Sequence, residues 1–342
     1  MESVDPANPT PPENVNLPPG APPSGLVDTG SGPGGRTIAG FWRRVIAFCI
    51  DSLVMGVTGS IVGFSAFDRL AAMGQWAKGI GFLIAAIYFT IGYSRIGDGR
   101  TIGKRLLKLE VVDRAGRHIS PGRAFVRFLV LGVPFFLNGV TITNPAGNVV
   151  VGILVPILGL SLVYLLVFNR RTRQSTHDLL VGTYVVNASG EGSPTAERVW
   201  RGHYVAVGAL SAAVLTIASV GGLIASRSGL LRNLIGVRER LIASPGVADA
   251  GVFVGRSLLW VNGAKSRVDS ITITVRTKKR PADYDGIADR SAAIVLENDP
   301  DARSANVINV VVVYGYDLGI ARASISKTLS HSPSDWASLS RP

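Results

Sequence analysis

Five stretches of the chain are apolar for long enough to predict membrane-crossing helices, each of which needs about 20 such residues. They cover residues 45–67, 76–94, 126–143, 148–169 and 203–226. The first is interrupted by one charge, Asp51, and the third contains Pro134. Trp76 and Tyr93 mark the ends of the second as interface aromatics, and Lys78 can extend its ammonium outward. Residues 95–127 are too polar to span. Within them, 106–113 followed by Arg114-Ala115-Gly116-Arg117 predicts a strand and a tight turn, and so a short β-hairpin on the membrane surface.

The pattern changes after residue 226. Leu231, Leu234, Ile235, Val237, Leu241 and Ile242 form a helical stripe. Strands are expected near 251–254 and 258–261, at 270–277 and at 306–314, with a helix over 282–298 and a further alternation over 320–327. The order of helix, strands, helix and strands predicts a soluble α+β domain over 227–342. Residues 191–202 read as a linker. Residues 1–37 carry Pro11-Pro12, Pro18-Pro19 and Pro22-Pro23 with no periodicity, and they lack the basic start and apolar core of a signal peptide. They predict a disordered cytoplasmic tail. The fold class is therefore an all-α membrane bundle of about five helices, residues 38–190 and 203–226, followed by a soluble α+β domain.

Composition supports this division. The mean hydropathy of +0.32 is high for a soluble protein. The formal charge of +12 is concentrated in loops that flank the apolar stretches. Arg95, Arg100, Lys104, Arg105, Lys108, Arg114, Arg117, Arg123 and Arg127 lie between the second and third stretches, and Arg170, Arg171 and Arg173 follow the fourth. Loops of that kind stay in the cytoplasm. With five crossings the N-terminus lies inside the plasma membrane and the C-terminal domain outside. The same loops provide contacts for anionic lipid headgroups. Topology accounts for the positive charge without nucleic acid. Cys49 stands alone, and His118, His177, His203 and His331 have no metal-ligand spacing, so no metal site or cofactor is expected.

Three segments could carry chemistry. Asp51 lies seven residues after Arg44, on the same helix face and about 10 Å away along the axis. A carboxylate inside an apolar helix must pair, face water or take up a proton. Asp51 is therefore either an ion or proton site or a clamp to a basic loop. The second segment is the run Arg170-Arg171-Thr172-Arg173-Gln174-Ser175-Thr176-His177-Asp178, in which His177-Asp178 reads as a helix cap or a bonded pair. The third, Gly99-Arg100-Thr101-Ile102-Gly103-Lys104-Arg105, is not a phosphate loop. Arg105 stands where Ser or Thr is required. No nucleophile–base pair appears, and the chain is not expected to be an enzyme.

Taken together, four motifs resemble the RDD family of bacterial and archaeal membrane proteins over residues 39 to about 186. They are Phe41-Trp42-Arg43-Arg44 with Ala47 and Ile50-Asp51; Gly99-x-Thr101-x-Gly103-Lys104-Arg105-Leu106 with Val111-Val112-Asp113 and Gly116; Arg123 with Arg127; and His177-Asp178-Leu179-Leu180 with Gly182-Thr183 and Val185-Val186. The resemblance implies that Arg44, Asp51 and Asp178 are the residues that name the family, with Arg127 and His177 in support. It also implies a charged cluster at the cytoplasmic end of the bundle and a transport or ion-coupled role. A scaffold that presents an outer binding domain to a protein partner is the alternative.

Overall fold

The computed structural model describes residues 35–142, 145–190, 192–194, 198–227, 229–261 and 264–339. Most of the expected tail, residues 1–34, lies outside them. Its last residues are held in place: the Arg36 amide donates to the Ser193 carbonyl, and the Thr37 carbonyl accepts from the Asn187 amide.

The bundle opens with α1 (Phe41–Ser65), α2 (Phe67–Met73) and α3 (Ala77–Tyr93). The short α4 (Ile102–Leu106) and β1 (Leu109–Asp113) follow, then α5 (Pro121–Leu137), α6 (Pro145–Phe168) and α7 (Thr176–Val181). After β2 (Thr183–Asn187), α8 (Arg201–Arg227) leads out of the bundle. By length and hydropathy four helical stretches among the described residues can cross a membrane: α1, α2 with α3, α6 and α8. Five had been expected, and α5 is the one that falls short, at 17 residues. Ser120 caps it by accepting from the Arg123 amide, with Pro121 behind the cap, so it starts earlier than the apolar run does. It nevertheless runs antiparallel along the whole of α3. Arg127 lies over the Tyr93 ring, Phe128 stacks on Phe89, Phe136 meets Phe82, and Lys78 Nζ donates to the Asn138 carbonyl.

The inward face of α1 is a stripe at every fourth position: Ala47, Asp51, Met55, Gly59 and Gly63. Trp42, Leu53, Ile61 and Phe64 point outward, as apolar residues do where lipid replaces water. Asp51 thus faces protein, not lipid.

The β-hairpin expected after residue 106 does not form. β1 pairs antiparallel with β2, from Leu109 opposite Asn187 to Asp113 opposite Thr183. All five β1 residues are buried. The chain beyond Gly116 turns directly into α5, so it has no strand to offer. Tyr184, Val185 and Val186 supply the apolar partners instead.

The C-terminal domain comprises α9 (Gly229–Ala243), β3 (Val247–Val261), β4 (Ala264–Thr277), α10 (Tyr284–Asn298), β5 (Val307–Asp317), β6 (Arg322–His331) and α11 (Pro333–Leu339). The two short strands expected at 251–254 and 258–261 are a single strand, β3. The sheet order is β3-β4-β5-β6, antiparallel except for the parallel β4–β5 pair that α10 connects. Ile273, Val275, Ile308, Val310 and Val312 meet Ala288, Ala292 and Val295 of α10 in a closed core, with Trp336 of α11 fully buried beside them.

One part of this domain enters the bundle. The β5–β6 turn lodges against α1 and α3 at the end opposite the β1–β2 sheet. A Cβ on Gly81 would overlap the Leu318 carbonyl, and one on Gly63 would overlap the Tyr316 hydroxyl. A Cβ on Gly59 would sit 2.8 Å from the Ala321 Cβ. Three helix glycines therefore form the notch that receives the turn, and Leu318 is completely buried in it. Around the notch, Tyr314 Oη donates to Asp68 Oδ1 at 2.7 Å, and Lys78 Nζ lies 3.5 Å from Asp317 Oδ2.

Candidate functional site

The site lies between the β1–β2 sheet and the bundle, where α1, α3, α4, α5 and α7 converge. Asp51 and Asp178 are both fully buried there, in unlike surroundings.

Asp178 sits in the first turn of α7, where its Oδ2 accepts from the Ser175 amide at 3.3 Å. Arg44 Nη2 reaches the same oxygen at 2.6 Å. Arg127 directs Nε and Nη2 at Oδ1, at 3.1 and 2.6 Å, and Thr183 Oγ1 donates there as well at 3.2 Å. Burial pushes the Asp178 pKa up. Arg127, then His177 and Arg44, more than reverse this and hold the group far below the ordinary carboxylate range. His177 Nε2 lies 3.6 Å from Asp178 Oδ1. Burial lowers the His177 pKa to about 3, against the pull of Asp178, so its ring is neutral near neutral pH.

Asp51 has no cation within ion-pair distance among the described residues. Its Oδ1 accepts from Tyr88 Oη at 2.7 Å and from the Gly103 amide at 2.8 Å, and its Oδ2 accepts from Thr101 Oγ1 at 2.6 Å. The glycine-rich segment rejected as a phosphate loop is thus a cradle for a carboxylate. Gly99 adopts φ +65°, and Gly103 leaves room for the Ala47 carbonyl of α1. The first turn of α4 turns its amide toward the anion, as helix starts do.

The structure buries Asp51, Asp178 and Arg127, and it groups them differently from the single charged cluster expected from the sequence. Arg44 and Asp51 share a face of α1, yet Arg44 turns to Asp178, and Arg127 completes that pair. Tyr88, Thr101 and Lys104 were missed. Lys104 follows Gly103 directly and is buried, with Nζ 4.6 Å from the centre of the Tyr93 ring. No carboxylate reaches it among the described residues. Burial, then Arg127, lowers its pKa to about 7, and the Asp51 carboxylate opposes them. A neighbouring cluster joins Glu110 of β1 to Arg36 at 2.5 Å, Arg100 at 2.9 Å and His118 at 3.4 Å.

The comparison with known families agrees with the resemblance: the sequence model of the RDD family matches residues 38–182. These residues form an RDD-family membrane domain. The match ends before β2, α8 and the C-terminal domain. No curated protein and no solved structure matches the chain.

Beyond Asp51, toward the other end of the bundle, lies a cavity of about 220 Å³. Met55, Phe89, Phe128 and Phe136 line it, Ser52 is its polar member, and Gly319 and Ile320 of the β5–β6 turn form its far wall.

Proposed function

We propose that the RDD domain carries out ion-coupled transport, with Asp51 and Lys104 as its working pair and Asp178 as its fixed anchor. The observation that supports this most is the contrast between the two buried acids. Asp178 is neutralised by two arginines, whereas Asp51 is held by neutral donors and lies beside an amine that can be charged or neutral near pH 7. A buried amine of this kind, near a carboxylate that has no cation of its own, can take up and release a proton as a cation or substrate enters and leaves. Five crossings, with α5 counted as one, put the β1–β2 sheet in the cytoplasm of a cell and the C-terminal domain outside its plasma membrane. In this reading the domain binds a protein partner and no reaction is catalysed.

Liposomes containing the purified protein should show cation- or substrate-dependent proton flux, and Asp51→Asn should abolish it. Equal flux in the variant removes Asp51 from the mechanism. A cysteine at Arg201 and one at Ser244, with Cys49 replaced, should label oppositely with an impermeant reagent in intact cells. Labelling of both from the same side would refute the five-crossing topology.

One observation favours a scaffold instead. Both Asp51 oxygens are filled by protein donors, and the cavity farther along α1 is apolar and does not include Asp51 in its lining. A scaffold predicts that Asp51→Asn lowers the melting temperature and leaves flux at the empty-liposome level in both proteins.

A further inference from the structure

A groove of about 1090 Å³ lies outside the buried site, between the turn after β1, the end of α7 and the start of α8. Arg114, Arg117, Arg123, Arg198 and Arg201 line it, and Asp113 is the only acid among the described residues of its lining. Asp113 is shared by Arg117 at 3.5 Å and Arg123 at 4.0 Å. Arg114, Arg198 and Arg201 face no carboxylate among the described residues. Five guanidinium groups around one concavity strongly favour an anion. Their planar forks match the oxygens of a phosphate.

The groove is also apolar along one edge. Tyr204 and Leu180 line it and are exposed, and Trp200 beside it is exposed too. Tyr204 belongs to the first turn of α8, which is long and apolar enough to cross a membrane. Arginines next to exposed aromatic and aliphatic side chains at such a helix end match a molecule with a phosphate and an acyl chain.

We propose that this groove is a phosphate-binding site whose occupant is the headgroup of an anionic membrane lipid. The site is independent of whether the RDD domain transports anything. The arginines of the β1 turn and those at the start of α8 grip the phosphate from two sides, and the acyl chains run along α8 past Tyr204.

The test is native mass spectrometry of the full-length protein released from detergent micelles with phosphatidylglycerol or phosphatidylcholine. Phosphatidylglycerol should be retained roughly tenfold better, and the double variant Arg198→Gln/Arg201→Gln should lose that preference about tenfold. Replacing both with Lys should restore part of it, because charge returns without the fork. Both side chains are exposed, so the melting temperature should not change. If the double variant unfolds, Arg114→Gln, on the β1 turn, provides the same readout. Pyrophosphate in excess should leave the lipid bound. Displacement by pyrophosphate, lost in the same variant, would uphold the phosphate site and assign it a soluble ligand. Equal retention of the two lipids, or an unchanged preference in a folded Gln variant, would overturn the proposal.

Discussion

Arg44 of α1 and Asp178 of α7 meet at 2.6 Å, and Arg127 of α5 closes on the other oxygen of the same carboxylate. Three segments far apart in sequence are thereby fixed at one point. Arg127→Ala leaves Asp178 with half its compensation in a buried setting, and removing one partner of such a pair costs about 3–5 kcal/mol. The expected result is a clear fall in melting temperature in detergent. Arg44→Ala should cost less, because the edge of Arg44 reaches solvent. Equal and small effects from both would show that the clamp does not carry stability.

Acid should weaken the fold through two groups of the same sign. His177 is held neutral in the fold down to about pH 3, against 6.5 for an ordinary histidine. The unfolded chain therefore binds more protons throughout that window, and stability falls as the pH drops through it. Asp178, with its lowered pKa, adds a further loss below the usual carboxylate range. Melting temperatures measured from pH 7 downward should decline, and His177→Asn should flatten the upper part of the decline. A slope unchanged by that substitution would mean that the ring does not titrate as described.

Lys104 predicts the opposite flank of the profile. Its pKa of about 7 lies below the ordinary 10.5, so the unfolded chain again holds more protons between these values. Stability should rise as the pH increases from 7 toward 10.5. Lys104→Met removes the buried charge and should flatten this rise, with its largest gain at or below neutral pH. A variant that is less stable at every pH would show that the Tyr93 contact matters more than the charge.

The docked turn can be fixed or displaced. Gly59→Cys with Ala321→Cys, in a Cys49→Ser background, should form a disulfide on mild oxidation, since these positions nearly touch. Gly81→Val should prevent it by forcing the Leu318 carbonyl away. Efficient crosslinking in the presence of Gly81→Val would show that the notch does not hold the turn.

The helices were legible because an unbroken apolar run has one physical outcome in lipid. The RDD motifs were legible because their spacing is dense. Partners were not. A glycine followed by a lysine reads as a phosphate loop or as nothing until the carboxylate it faces is known, and Asp51 is half a hundred residues away. Gly59, Gly63 and Gly81 read as ordinary glycines of membrane helices, because their function lies in what they leave room for. β1 suggested a hairpin because a strand followed by a tight turn most often returns at once, whereas its actual partner arrives only after two more long helices. The apolar run over residues 126–143 was legible as such. The helix itself is set by Ser120 and Pro121, which move it toward the polar side.

The notch formed by the three glycines imposes an order on assembly. α1 and α3 emerge from synthesis long before Leu318, and until then Gly59, Gly63 and Gly81 have nothing to pack against at that end of the bundle. The membrane domain cannot complete its own packing until the last strands of the chain have folded and returned to it. A chain truncated before β5 would insert its helices and still lack the turn that fills the space beside Gly59, Gly63 and Gly81.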